Sequence, residues 1–153
     1  MNEEDTIDEF DLDEDEKRVA NILMPGQKVE ELPEVTWELL EKYYQYLSEK
    51  LPAGLLLTGQ ESLGYFSWEE RFDWGYGSPQ EHEQLRKKQA SYHDTFKLVR
   101  LKKIDPVYGI VVSVSRVDDY KEFDIPLADL ESRKKSPQRT LIDDYSMWFV
   151  NYN

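Results

Sequence analysis

The residues best suited to chemistry in this chain are acids placed at turns and at the ends of apolar segments. They are Asp73 beside Gly75, Asp94, Asp118-Asp119, Asp129 with Glu131, and Asp143-Asp144. Such carboxylates, joined by backbone carbonyls, make hard-oxygen cation sites. Calcium takes roughly six to eight oxygens in loose geometry, whereas magnesium demands a tight octahedron and usually a phosphate partner. Aspartate is also common at turns for its own hydrogen bonding, so the same acids read equally as solvated turn residues. Asp143 and Asp144 run straight into Tyr145 to Val150, where apolar side chains fill both alternating sets, the pattern of a strand covered on both faces. The expectation is a C-terminal strand that closes the core and holds two carboxylates in place.

Other chemistry finds little support. The two histidines, His82 and His93, fall on a polar helix and in a polar loop, outside any recognisable catalytic arrangement. Zinc-protease, nucleophile-elbow, P-loop and dinucleotide patterns are absent. Glu69-Glu70 could supply a glycosidase acid and base only if both faced one cleft, and neighbours on a strand face opposite ways. A non-enzymatic protein is expected. Cysteine is absent, which excludes disulfides, thiolate sites and a cysteine nucleophile, and argues against zinc.

The formal charge of −13 over 153 residues argues against nucleic acid and anionic membrane as partners and favours cationic ones. No apolar run approaches the roughly 20 residues that cross a bilayer, and the N-terminus is acidic where a secretory signal would be basic. A cytoplasmic location is expected. Ten of the 32 acidic residues lie between Glu3 and Glu16, so residues 1–18 read as a disordered acidic tail and 19–35, punctuated by Pro25-Gly26 and Pro33, as a linker. Asp11-x-Asp13-x-Asp15 imitates the start of an EF-hand loop, but the sixth and twelfth places hold Glu16 and Ile22 instead of glycine and glutamate. That leaves a diffuse, cation-attracting tail.

Residues 36–153 read as one domain. Thr36 caps a helix in which Trp37, Leu40, Tyr44, Leu47 and Leu51 recur at spacings of three and four before Pro52 stops it. Leu55 to Thr58 and Tyr65 to Trp74 read as strands. Ser78-Pro79-Gln80-Glu81 is a capping box that opens a polar surface helix to about Gln89. Thr95 to Lys103, Ile110 to Val117 and Lys121 to Leu127 continue as a meander, with Pro126 marking an edge and Arg133 to Gln138 a basic loop. The expected class is α+β: a small, strongly bent antiparallel sheet or partly open barrel, with one main packed helix and one short surface helix.

Four segments, Tyr44-Gln45-Tyr46-Leu47-x-x-x-Leu51-Pro52, Trp68-Glu69-Glu70-Arg71, Phe123 to Glu131, and Leu141-Ile142-Asp143-Asp144-Tyr145-Ser146-x-Trp148-Phe149, together resemble the small acidic calcium-binding proteins described in cyanobacteria. The resemblance spans about residues 36 to 152. It implies a compact α+β fold unlike an EF-hand, calcium as ligand and a buffering role. It points to Asp129, Glu131, Asp143 and Asp144 as metal ligands and, more loosely, to Glu69 and Glu70. Where an aromatic and acidic segment would follow Leu51-Pro52, this chain has Ala53-Gly54-Leu55-Leu56-Leu57, so a ligand from there would be lost. A second function class stands beside calcium binding: an interaction module whose acidic tail engages a basic protein or mimics nucleic acid.

Overall fold

The computed structural model describes residues 12–61 and 64–153. The strands are β1 (Leu56–Gly59), β2 (Thr95–Asp105), β3 (Gly109–Arg116), β4 (Glu122–Pro126) and β5 (Leu130–Ser132). They form an antiparallel sheet in the order β4-β3-β2-β1-β5 that is not closed into a barrel. Pro126 does stand on an edge strand, where its missing N–H costs no ladder bond. Irregular register in β2, between Leu98 and Arg100 and between Leu101 and Lys103, marks bulges of the kind that bend a strand. The α+β class with an open, bent sheet is the architecture observed.

Helices contribute more than the sequence suggests. They are α1 (Glu14–Leu23), α2 (Trp37–Lys50), α3 (Ser67–Asp73), α4 (Pro79–Lys88) and α5 (Pro137–Asn151). The expected cap of α2 is present: Thr36 Oγ1 accepts from the Leu39 N–H at 3.2 Å, and Leu40, Tyr43 and Leu47 are buried. Ser78 caps α4 in the same way, with Pro79 at its first position and no buried residue, as a surface helix requires.

The segment read as a final strand is instead α5. Ser136 caps it, Pro137 opens it, and Ile142, Tyr145, Trp148 and Phe149 turn one helical face into the core. Trp148 stacks on Tyr43 at 5.4 Å, Tyr43 meets Tyr145 edge-on at 5.2 Å, and the Trp148 indole donates to Pro33 O at 2.9 Å. The Tyr145 hydroxyl accepts from the Ile110 N–H at 2.9 Å. Gly109, at φ +71, leaves room for that approach, because a Cβ there would stand 2.5 Å from the hydroxyl. Tyr65 to Trp74, read as a strand, is mostly helix α3, with Trp68 and Phe72 one turn apart.

The expected tail and linker are also partly structured. Asp13 and Glu16 close a capping box at the start of α1, and Val19, Ala20, Leu23 and Leu32 are buried in the common core. The helical start at Glu14 thus shortens the expected tail; its residues 1–11 lie outside those described. Three helices, α1, α2 and α5, pack together where one was expected.

Candidate metal centre

Most aspartates of the domain are already paired with an arginine or lysine. Asp144, expected as a ligand at a strand end, is buried on α5, and Arg18 of α1 reaches both its oxygens, at 2.7 and 3.0 Å. Asp143 faces Arg139 at 3.8 Å, one turn away, and partial burial raises its pKa despite that arginine. Asp94 is held by Arg86 at 2.9 Å and Arg116 at 3.1 Å, and Asp119 takes Arg116 at 2.8 Å. Asp118 lies 3.7 Å from Arg86. Asp124 pairs with Lys102. The Asp143-Asp144 pair is therefore split: one carboxylate serves the core and the other faces outward.

Asp129 closes a 3-10 turn, Leu127–Asp129, and lines a cavity of about 630 Å³ with Tyr65, Tyr108, Asp105 and Asp124. Its carboxylate accepts from the Tyr65 N–H at 3.2 Å, and among the described residues no lysine or arginine pairs with it. Burial pushes its pKa up, more than that N–H draws it down. The folded pKa thus lies above the unfolded value near 4, so this group's contribution to stability is present below pH 4 and lost as pH rises through the folded value. Asp129→Asn is expected to raise Tm at pH 7 and leave it unchanged at pH 3, as thermal unfolding at the two pH values would show. Glu131, on β5 opposite Thr58, is half-buried.

Glu69 and Asp73 lie one turn apart on α3 and therefore share a face. Glu70 lies between them on another face. An oxygen of Glu69, an oxygen of Asp73 and a ring nitrogen of His93 all lie within 4.8 Å of one another. His82, on α4, reaches Glu69 Oε1 with its Nε2, and its ring lies between Trp68 and Phe72 at centroid distances of 5.8 and 4.8 Å. These side chains line a cavity of about 320 Å³ closed by the turn through Gly75 and Gly77. Glu69 is only 1% exposed, and its Oε2 has no hydrogen-bond partner among the described residues.

The supports of this cluster come from outside α3. The Trp68 indole donates to Ala90 O at 2.7 Å, tying α3 to the end of α4. Asp94 Oδ2 accepts from the Ser91 N–H at 2.9 Å, Ser91 Oγ accepts from the His93 N–H at 3.1 Å, and Thr58 Oγ1 donates to Tyr92 O and Asp94 O. The loop that carries His93 is pinned on both sides. Of the six residues expected to ligate, Glu69 alone stands in this group, beside Asp73, which the sequence offered only as an acid at a turn. The histidines set aside from the sequence complete the group.

A second group consists of oxygens alone. One carboxylate oxygen from each of Asp13, Asp15 and Glu16 lies within 4.8 Å of the others at the start of α1. Glu16 accepts from the Asp13 N–H at 3.0 Å and from the Tyr152 hydroxyl at 2.8 Å, and these two bonds lower its pKa, the first most. Carboxylate clusters that could hold a metal ion are thus present among the described residues. No described helix is long and apolar enough to cross a membrane.

No family model and no curated protein matches the chain. It is similar to a solved structure described as "Calcium binding protein in the calcium-binding form", at 15% identity and a TM-score of 0.49, with 89% of each chain covered.

Proposed function

We propose that this chain is a divalent-cation-binding protein that takes calcium through carboxylate oxygens. The observation behind this reading is how its acids are sorted. Arginine and lysine neutralise Asp94, Asp118, Asp119, Asp124, Asp143 and Asp144, while two groups of acids, Asp13 with Asp15 and Glu16, and Glu69 with Asp73, converge without such a base. The first group is the calcium type: hard oxygens only, in an arrangement loose enough for an ion that tolerates irregular coordination and takes water as well. Binding relieves the mutual repulsion of the acids, so it stabilises the folded chain.

Exposed and half-buried donors already engaged in capping bonds suit the weak end of calcium affinities, roughly 10⁻⁴–10⁻³ M. Helix α1 is closed by its own capping box and packed into the common core, so loading these acids would change little else, which suits a buffer better than a sensor. Calorimetric titration of the full chain with calcium, in magnesium-containing buffer, tests the proposal. Saturable binding is expected, and Asp13→Asn/Asp15→Asn should weaken it severalfold with α1 intact, because asparagine caps a helix as well as aspartate does. Heat no greater than that of magnesium exchange, or the same isotherm for the double variant, would contradict it.

A further inference from the structure

We infer that Glu69, Asp73 and His93 form a second, independent metal site, one for a divalent transition ion of the zinc class. It goes beyond the calcium reading and does not depend on it. The donor set separates the two. Calcium is bound by oxygen, whereas an imidazole nitrogen beside two carboxylates suits zinc and its neighbours, with ligands at roughly 2.0–2.2 Å. Donor atoms gathered within 4.8 Å need only small side-chain rotations to close on one ion.

The clearest sign is Glu69 itself. Two other carboxylates are as deeply buried, Asp94 and Asp144, and cationic donors engage both oxygens of each. Glu69 has one oxygen held by His82 and the other buried without a partner. A carboxylate oxygen taken from water without compensation is costly, and a bound cation supplies what it lacks.

Two of the three ligands, Glu69 and His93, are also held in place from behind. His82 orients Glu69 by its Nε2–H, in the manner of the outer partners that position metal ligands. Trp68 and Phe72 wall the imidazole of His82, and the Ser91–Asp94 bonds fix the loop of His93. Asp73 and His93 stand at the open side of the cavity, where an ion could enter and water would fill its remaining positions. His82 is thus a positioning residue, and Glu69, Asp73 and His93 are the ligands.

The test is titration of the full chain with zinc and with cobalt, in buffer containing millimolar calcium and magnesium. One equivalent of zinc is expected to bind, and bound cobalt should give visible absorption bands of a nitrogen- and oxygen-ligated ion. Asp73→Asn and His93→Ala, both at exposed positions, should each weaken zinc at least about tenfold while far-ultraviolet circular dichroism stays unchanged. Asp13→Asn/Asp15→Asn should leave zinc binding as it is. Unaltered zinc affinity in the Asp73 and His93 variants, or only multiple weak equivalents displaced by magnesium, would overturn the assignment, whatever the outcome for calcium.

Discussion

Arg18→Ala is expected to lower the stability of the fold by about 3 kcal/mol while leaving calcium affinity unchanged. Asp144 is nearly inaccessible, its side chain 4% exposed, and both of its oxygens are bonded to the guanidinium. Removing the arginine strands a charge on α5 where water cannot reach it well, and losses of roughly 3–5 kcal/mol follow when a buried pair loses one member. Arg18 itself is 48% exposed, which places the effect at the lower end of that range. Urea unfolding monitored by tryptophan fluorescence measures the loss, and calorimetry measures the affinity. If instead stability held and calcium affinity rose, Asp144 would be a ligand for which Arg18 competes.

Trp148→Ala carries the other large effect, about 3–5 kcal/mol. Its ring is fully buried, stacks on Tyr43 and holds the Pro33 carbonyl by its indole N–H. The substitution therefore opens a cavity among α2, α5 and the segment before α2, and it also leaves an acceptor unpaired. A loss of this size is a large part of the 5–15 kcal/mol typical of a domain. Equilibrium unfolding should show the drop, together with a lower Tm. Trp148→Phe keeps most of the volume and should recover more than half of the loss. A loss below about 1 kcal/mol for the alanine variant would mean that the helices do not meet through this ring.

Caps and turns made much of the architecture legible. Thr36 and the Ser78-Pro79 box mark α2 and α4 because capping chemistry is local and leaves a fixed spacing. Strands β2 to β4 follow from β-branched alternation between Asp105, Gly109 and Asp118-Asp119. Helix α5 escapes because its apolar run is dense: Tyr145, Met147, Trp148, Phe149 and Val150 satisfy period two as readily as period 3.6. Ser136-Pro137 is the start signal already used for α4, but Arg139 stands where the box wants an acid. In α3 the pair Trp68 and Phe72 carries the helical spacing, and the alternation of Phe66, Trp68, Glu70 and Phe72 conceals it.

Those two misread segments decide the site. Once Ser67–Asp73 is helical, Glu69 and Asp73 stand one turn apart, whereas a strand would keep them on one face but about 13 Å apart, too far for a common partner. His82 and His93 join them only because α4 folds back beside α3 and the following loop is pinned by Asp94, contacts that no local pattern encodes. Asp144 misleads in the opposite sense. Its partner Arg18 lies at the far end of the chain, in a stretch whose composition suggests a tail.

The central claim, that the folded chain binds calcium in preference to magnesium, is tested most directly by thermal unfolding of chelator-treated protein against added calcium, with magnesium at equal concentration as reference. A ligand that binds only the folded state stabilises it by about 2.7 kcal/mol at a hundred times its dissociation constant. At about 10 mM calcium, with the affinity proposed above, Tm should therefore rise by several degrees, and by more than magnesium gives. A Tm that does not move with calcium, or moves equally with magnesium, would contradict the account.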